Sequence, residues 1–247
     1  MKKTKRTSAI IATLAGIFAL RTLKLAYQRS RFGHMIENVL GGSDQTVKLN
    51  QDLADSLPKT SLSFRGKPAD PINLMILGST SHIEGAFNRA GWQQAVPVSA
   101  SNWFKAFWSG LLNQRYADGP MTPFYIATTP NDLQFQKESP SQGFRQRHHI
   151  RLWQTNMRLV GGTEIWLATA SFDKSLRFYR GLGMPYHHID PDLDAERDFI
   201  TSELVAAGGK ERARFAMTDK LDGRNVFHDK YFTDGKIVVV DVEQAAA

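Results

Sequence analysis

The chain contains no cysteine. Disulfides, thiolate zinc sites and thiol nucleophiles are excluded, so any metal site must use histidine and carboxylates. Acid is missing from one region: residues 1–31 hold eight basic side chains and no Asp or Glu. The rest holds 23 basic against 24 acidic residues. The net charge of +7 therefore belongs to the amino terminus, and the body is neutral. A basic face tracking phosphates is not indicated, and nucleic acid is not an expected partner. The motifs H-E-x-x-H, G-x-S-x-G, the P-loop and G-x-G-x-x-G are also absent, so no local spacing names a reaction.

What is present suffices for one sizeable core: 247 residues, 42% of them hydrophobic. The opening "MKKTKRTSAIIATLAGIFALRTLKLAYQRSR" sets four positive charges before the apolar run Ala9–Leu20. As an uncleaved anchor, a helix from Ala9 to Tyr27 would be about 28 Å long at 1.5 Å per residue. It would nearly span a bilayer core with Arg21 and Lys24 snorkelling. A cleaved signal, an interfacial helix and a soluble helix are the other readings. The anchor, residues 1–29, is carried forward, with a linker at 30–46 and one globular domain at 47–247.

Within that domain, "INLMILGS" reads as a buried strand and "TSHIEGAFNRAG" as a helix capped at Ser79 or Thr80. "WQQAVPVS" is a short strand, "ASNWFKAFWSGLLNQ" an apolar helix, and "PFYIATT" a strand. "RHHIRLWQT" and "EIWLATASFD" form a hairpin turning at Gly161-Gly162. "DPDLDAERDFITSELVAAGG" is a helix with Asp190 as N-cap, Pro191 in its first turn and Gly208 at its end. A last strand pair turns at Asp234-Gly235. The expected fold is α/β or α+β: a mixed β-sheet flanked by helices in three layers, preceded by the apolar helix.

Four of the seven histidines fall in two doublets, His148-His149 and His187-His188. On a strand side chains alternate faces, so His148 shares one with Ile150 and Leu152, and His149 shares the other with Arg151. A buried imidazole needs a partner. Asp190, Asp192 and Asp194 suit a positive helix end as caps and dipole partners. Arg197 lies about 40° from Leu193 on the helix, against the apolar stripe. There it requires a carboxylate, Asp194 or Asp173, or an anionic ligand. Asp173 ends a strand, and His187 and His188 precede a helix start, so several His and Asp could meet. Neutral imidazoles with carboxylates suit zinc or manganese, and His148, His187 and Asp190 are the candidate ligands. Each of these residues also has a structural reading, as a core histidine or a helix cap.

The ordered motifs "DPINLMILGS", "RAGW", "RHHIRLW" and "HHIDPDLDAERD" resemble the LssY C-terminal-domain family of bacterial envelope proteins, over about Lys59–Gly208. The resemblance adds weight to Arg147, His148, His149, Arg151, His187, His188, Asp190, Asp194, Glu196 and Arg197. It implies membrane association and lipid-phosphate chemistry, because the domain is often fused to DedA-type or type-2 phosphatidic-acid-phosphatase-type membrane domains. The phosphatase's own Lys-Arg-Pro and Pro-Ser-Gly-His motifs are absent, so its activity does not carry over.

Two functions are expected from this reading. The first is a membrane-tethered hydrolase, metal-dependent or not, of an anionic envelope substrate. In it His148, His149, His187, His188, Asp190 and Asp173 act as acid, base or ligand. Arg147, Arg151 and Arg197 hold the anion, and Asp194 and Glu196 support. The second is a non-catalytic module for an anionic lipid, glycan or partner protein. Either would sit at the inner membrane, held by the amino-terminal helix.

Overall fold

The computed structural model describes residues 39–63, 66–95, 121–139, 143–178, 185–225 and 228–243, with Gly16, Ala19, Leu20, Leu23 and Tyr27; in 143–145, 176–178 and 185–187 only the backbone is described. The anchor helix and the aromatic helix expected at 101–115 lie outside this set, apart from those five isolated residues.

The frame is a nine-stranded mixed sheet. Its axis is the hairpin of β9 (Gly143–Leu159) and β10 (Glu164–Phe178), whose turn places Gly161 and Gly162 at positive φ. β4 (Leu74–Leu77) pairs antiparallel with the first half of β10. β11 (Pro185–Ile189) pairs with its second half, past an irregularity between Asp173 and Ser175. β8 (Leu133–Ser139) flanks β9, and β5 (Gln93–Gln94) lies beyond it. On the other side, β15 (Lys236–Asp241) runs parallel to β4 and is bordered by β12 (Lys210–Ala216). β1 (Gln45–Val47) adds in parallel to the end of β9. The tail therefore departs from the expected strand pair. β13 (Asp222–Arg224) and β14 (Lys230–Phe232) make their own small hairpin, and β15 turns away at Gly235 into the main sheet. Gly235 sits at φ 73°, and a Cβ there would lie 2.1 Å from Thr218 O, so this turn needs glycine.

β4 is buried at every position because both sheet faces are covered. Leu74 and Ile76 face α2 (Thr80–Arg89) and α3 (Leu193–Ala206), where Ile83, Phe87, Ile200 and Leu204 complete one core. Met75 and Leu77 face a second core with Trp153, Leu167 and Val239. That face is covered by the short α1 (Gln51–Ser56) and a four-stranded sheet of β2 (Thr60–Leu62), β3 (Pro68–Pro71), β6 (Tyr125–Ile126) and β7 (Thr129–Pro130). Three layers are present, but the two longer helices share one side and a second sheet forms the other. The β4–α2–β5 start is not a parallel crossover: β5 joins the far edge beside β8.

The helix starts follow from their caps. Ser79 accepts from His82 N at 3.4 Å, as expected for a cap. In α3 the cap is Asp192, accepting from Ala195 N at 3.0 Å, rather than Asp190. Asp190 instead accepts from Asp192 N, and Pro191 precedes the cap instead of opening the helix. Residues 39–46 of the expected linker carry the buried Val39 and enter β1, so they pack with the globular unit.

Candidate functional site

Alternation on β9 splits the first histidine doublet as the sequence requires. His148 faces the helices, stacks on Phe199 at 4.2 Å between ring centres and meets Phe172 at a tilt, at 4.6 Å. Its Nδ1 lies 2.8 Å from Glu196 Oε2, on the first turn of α3. This is the partner a half-buried imidazole needs, supplied from 48 positions away. Burial lifts the Glu196 carboxyl above its ordinary value; His148 opposes the shift, and the charges of Asp173 and Asp190 add to it.

That direction fixes a pH prediction. A raised folded value gives stability that is fully present below the unfolded pKa of about 4.3 and lost as pH rises through the folded value. Glu196→Gln, which keeps an acceptor for His148, is expected to remove this loss. Its urea midpoint should change less between pH 4 and 8 than the parent's. A constant offset between the two proteins would mean that Glu196 does not titrate in this range.

His149 faces the small sheet, where a buried polar cluster gathers. Cross-strand neighbours on this face are Arg151 with Thr169 and Gln134, His149 with Ser171 and Gln136, and Arg147 with Asp173. His149 Nδ1 is 3.4 Å from Asp173 Oδ2. Arg147 Nη1 donates to Gln136 Oε1 at 3.1 Å. Asp70 enters from β3 and is 2% exposed. Two bonds between the Asn73 side chain and the Ala170 backbone, at 2.9 and 3.2 Å, tie the segment after β3 to β10.

Arg151 is the centre of the cluster. The residue is 7% exposed, and its guanidinium carbon lies over the Phe124 ring, 4.0 Å from the centroid. Nε donates to Thr122 O at 3.1 Å. Among the described residues the Nη groups have no hydrogen-bond or ion-pair partner; Asp70 and Asp173 attract the charge only from farther off. Burial pushes the guanidinium below its ordinary value, and those two acids oppose the shift. Asp70 moves the other way: burial raises its carboxyl, against the pull of Arg151 and Ser171.

The second doublet does not join His148. The His188 Nδ1 meets Asp229, and the charge of Asp229 is felt by Asp70, so this pair borders the small-sheet cluster. The His187 backbone pairs with Leu176, and its side chain lies outside the described residues. Asp190 is bound by Lys174 Nζ at 2.9 Å. Of the expected metal trio, His148 and Asp190 have separate partners and the His187 side chain lies outside the described residues; among the described residues no three His, Asp or Glu side chains converge on one point.

Arg197 corrects a further expectation. It is 1% exposed, and its guanidinium is consumed by the protein. Nη1 donates to Asp234 Oδ1 at 2.7 Å and Asp194 Oδ1 at 2.9 Å, and Nε to Asp198 Oδ1 at 3.0 Å. Nη2 reaches Asp198 and Asp234, each at 3.3 Å. Asp194 also accepts from Thr233 Oγ1 at 2.9 Å. No donor is left for a ligand; Arg197 clamps α3 to the turn before β15. The Asp194 pairing is as expected, whereas Asp173 is not its partner.

Asp70, Gln134, Gln136, Ser171 and Asp229 escaped sequence reasoning. Asp70 carries one usable signal, an acid shortly before the wholly apolar "LMIL". Asp229 follows His228, whose φ of 66° marks a turn and nothing more.

Among the described residues no helix is long and apolar enough to cross a membrane. No curated protein and no solved structure matches the chain. The family model described as LssY C-terminus matches residues 54–237, which spans β3, the β8–β9–β10 cluster and the Arg197 clamp. The chain therefore belongs to the LssY C-terminus family.

Proposed function

We propose that this domain binds an oxyanion of the phosphate class, with Arg151 as its grip and Arg147 beside it, as a ligand-binding module tethered to the membrane of the cell envelope. One observation carries the reading. Arg197 and Arg151 are both buried, but three carboxylates neutralise Arg197 and none lies within ion-pair distance of Arg151 among the described residues. An unpaired buried charge costs several kcal/mol, roughly 3–5 when its partner is removed. A forked Nη edge without a partner matches two oxygens of a phosphate or carboxylate. The tether rests on the basic, apolar amino terminus.

A second reading, hydrolysis of the bound ester, is favoured by His188. Asp229 holds its Nδ1, as a carboxylate orients the base in catalytic triads, and Nε2 has no hydrogen-bond partner among the described residues. Two arms test both readings on the full chain. Inorganic phosphate and phenylphosphonate, titrated calorimetrically, are expected to bind one site and to raise the melting temperature. At a hundredfold excess over Kd the stabilisation should be about 2.7 kcal/mol. An absence of binding by all oxyanions would sink the module. If the ester is hydrolysed, phenyl phosphate is cleaved by the parent and His188→Ala lowers the rate by ~100-fold or more, with phosphonate binding retained. Binding without turnover leaves the non-catalytic module.

A further inference from the structure

Arg151 is not the only polar group of its face without a partner. The register of β9 and β10 runs unbroken from Trp166 to Asp173, so Thr169 stands directly across from Arg151 on the small-sheet face. Cross-strand partners of this kind have their Cβ atoms about 4.5–5.5 Å apart. Along β10 this face changes character at Thr169. Ile165 and Leu167 belong to the apolar core, and Ser171 and Asp173 follow on the polar side. Four threonines are buried among the described residues: Thr155, Thr169, Thr201 and Thr233. Three have a bonded hydroxyl. Thr155 Oγ1 donates to Ile165 O at 2.7 Å, Thr201 Oγ1 to Arg197 O at 2.9 Å, and Thr233 Oγ1 to Asp194 Oδ1 at 2.9 Å. Thr169 is 0% exposed, and its Oγ1 has no hydrogen-bond partner among the described residues. An unpaired buried hydroxyl is costly, and valine has the same shape without that cost.

Resting on the oxyanion reading above, we infer that Thr169 is a specificity-determining residue of the Arg151 site: its hydroxyl donates to a third ligand oxygen and so selects a tetrahedral oxyanion head, a phosphate or its monoester, over a planar carboxylate. The Arg151 fork donates to two oxygens. A carboxylate has no others, whereas a phosphate monoester offers a third to the donor on the neighbouring strand. The ligand that pairs the hydroxyl gains a hydrogen bond, and the one that covers it without pairing it leaves the cost in place.

The test is calorimetric titration of the full chain with benzenesulfonate and benzoate. They carry the same single charge on the same ring and differ in having three oxygens or two. Thr169→Val is expected to weaken benzenesulfonate about tenfold or more, the loss of one hydrogen bond to a charged group, and benzoate by less than about threefold. Its urea midpoint without ligand should equal or exceed the parent's, because no frame contact is lost. Thr169→Ser, which keeps the hydroxyl, should bind benzenesulfonate as the parent does. Inorganic phosphate and methyl phosphate both have the third oxygen and should weaken alike in Thr169→Val; the tighter of the two in the parent marks the source, free or esterified. Equal losses for benzenesulfonate and benzoate, or none for either, would overturn the inference and leave the oxyanion reading standing. A lower urea midpoint would also overturn it, by showing the hydroxyl bonded within the frame. Failure of the parent to bind any of the four anions would overturn the reading itself. Should Thr169→Val not fold, Thr169→Ala, which also lacks the hydroxyl, takes its place.

Discussion

Replacing Arg197 by methionine is expected to destabilise the fold by about 3 kcal/mol, with no direct effect on oxyanion affinity. Among the described residues the guanidinium is the only cation touching Asp194, and it also bonds Asp234 and Asp198. Burial alone would raise the Asp234 carboxyl, yet Arg197 and the Lys236 backbone amide outweigh it and hold the carboxyl below its ordinary range. At Arg197 burial lowers the value, but Asp234, Asp198 and Asp194 outweigh it and raise it, so Arg197 and Asp234 pair as ions at neutral pH. Methionine fills the volume but leaves three acids close together. Because Asp198 and Asp234 are part-exposed, they rehydrate, which keeps the loss at the lower end of 3–5 kcal/mol. In a chain of this size that is a fall in Tm of roughly 6–12 °C. Calorimetric melting checks it. A parent-like Tm would mean that the acids recover all their solvation and that apolar packing alone seats α3 on β15.

Arg151→Met should give the opposite pattern. Stability without ligand is expected to change by no more than about 1 kcal/mol, because two terms oppose. The variant no longer buries an unpaired guanidinium, which is favourable. It also leaves Asp70 without its attracting cation, and Asp70 answers by taking up a proton, the direction burial already drives it. Phosphate affinity should fall at least ~30-fold, since two charge-assisted hydrogen bonds of roughly 1.5–3 kcal/mol each are lost. Denaturant unfolding and calorimetric titration on the same protein separate the two effects. A large stability loss with unchanged phosphate binding would assign Arg151 to the frame and remove the basis of the oxyanion site. Together the two variants form a double dissociation between two buried arginines that sequence alone treats alike.

Much of the frame was legible because it is local. The alternation that puts His148 and His149 on opposite faces follows from strand geometry within seven residues. Gly161-Gly162, Ser79 and Gly208 mark a turn, a cap and a helix end through preferences carried by the residue itself. The tail misled because Asp234-Gly235 has hairpin chemistry, while β15 finds a better partner in β4, where Val238 and Val240 enter the helix-side core.

The composition by itself determined that no thiol chemistry operates, that the body is neutral, and that histidines, acids and arginines crowd two motifs. Which of them act together was decided only by the tertiary structure. Glu196 reaches His148 across 48 positions, Asp229 reaches His188 across 41, and Asp234 reaches Arg197 across 37. A residue's sequence carries its charge and its face but not the identity of what packs against that face. Arg197 and Arg151 thus differ in a single respect that no local pattern encodes: the fold brings three carboxylates to one and leaves the Nη edge of the other without a partner among the described residues.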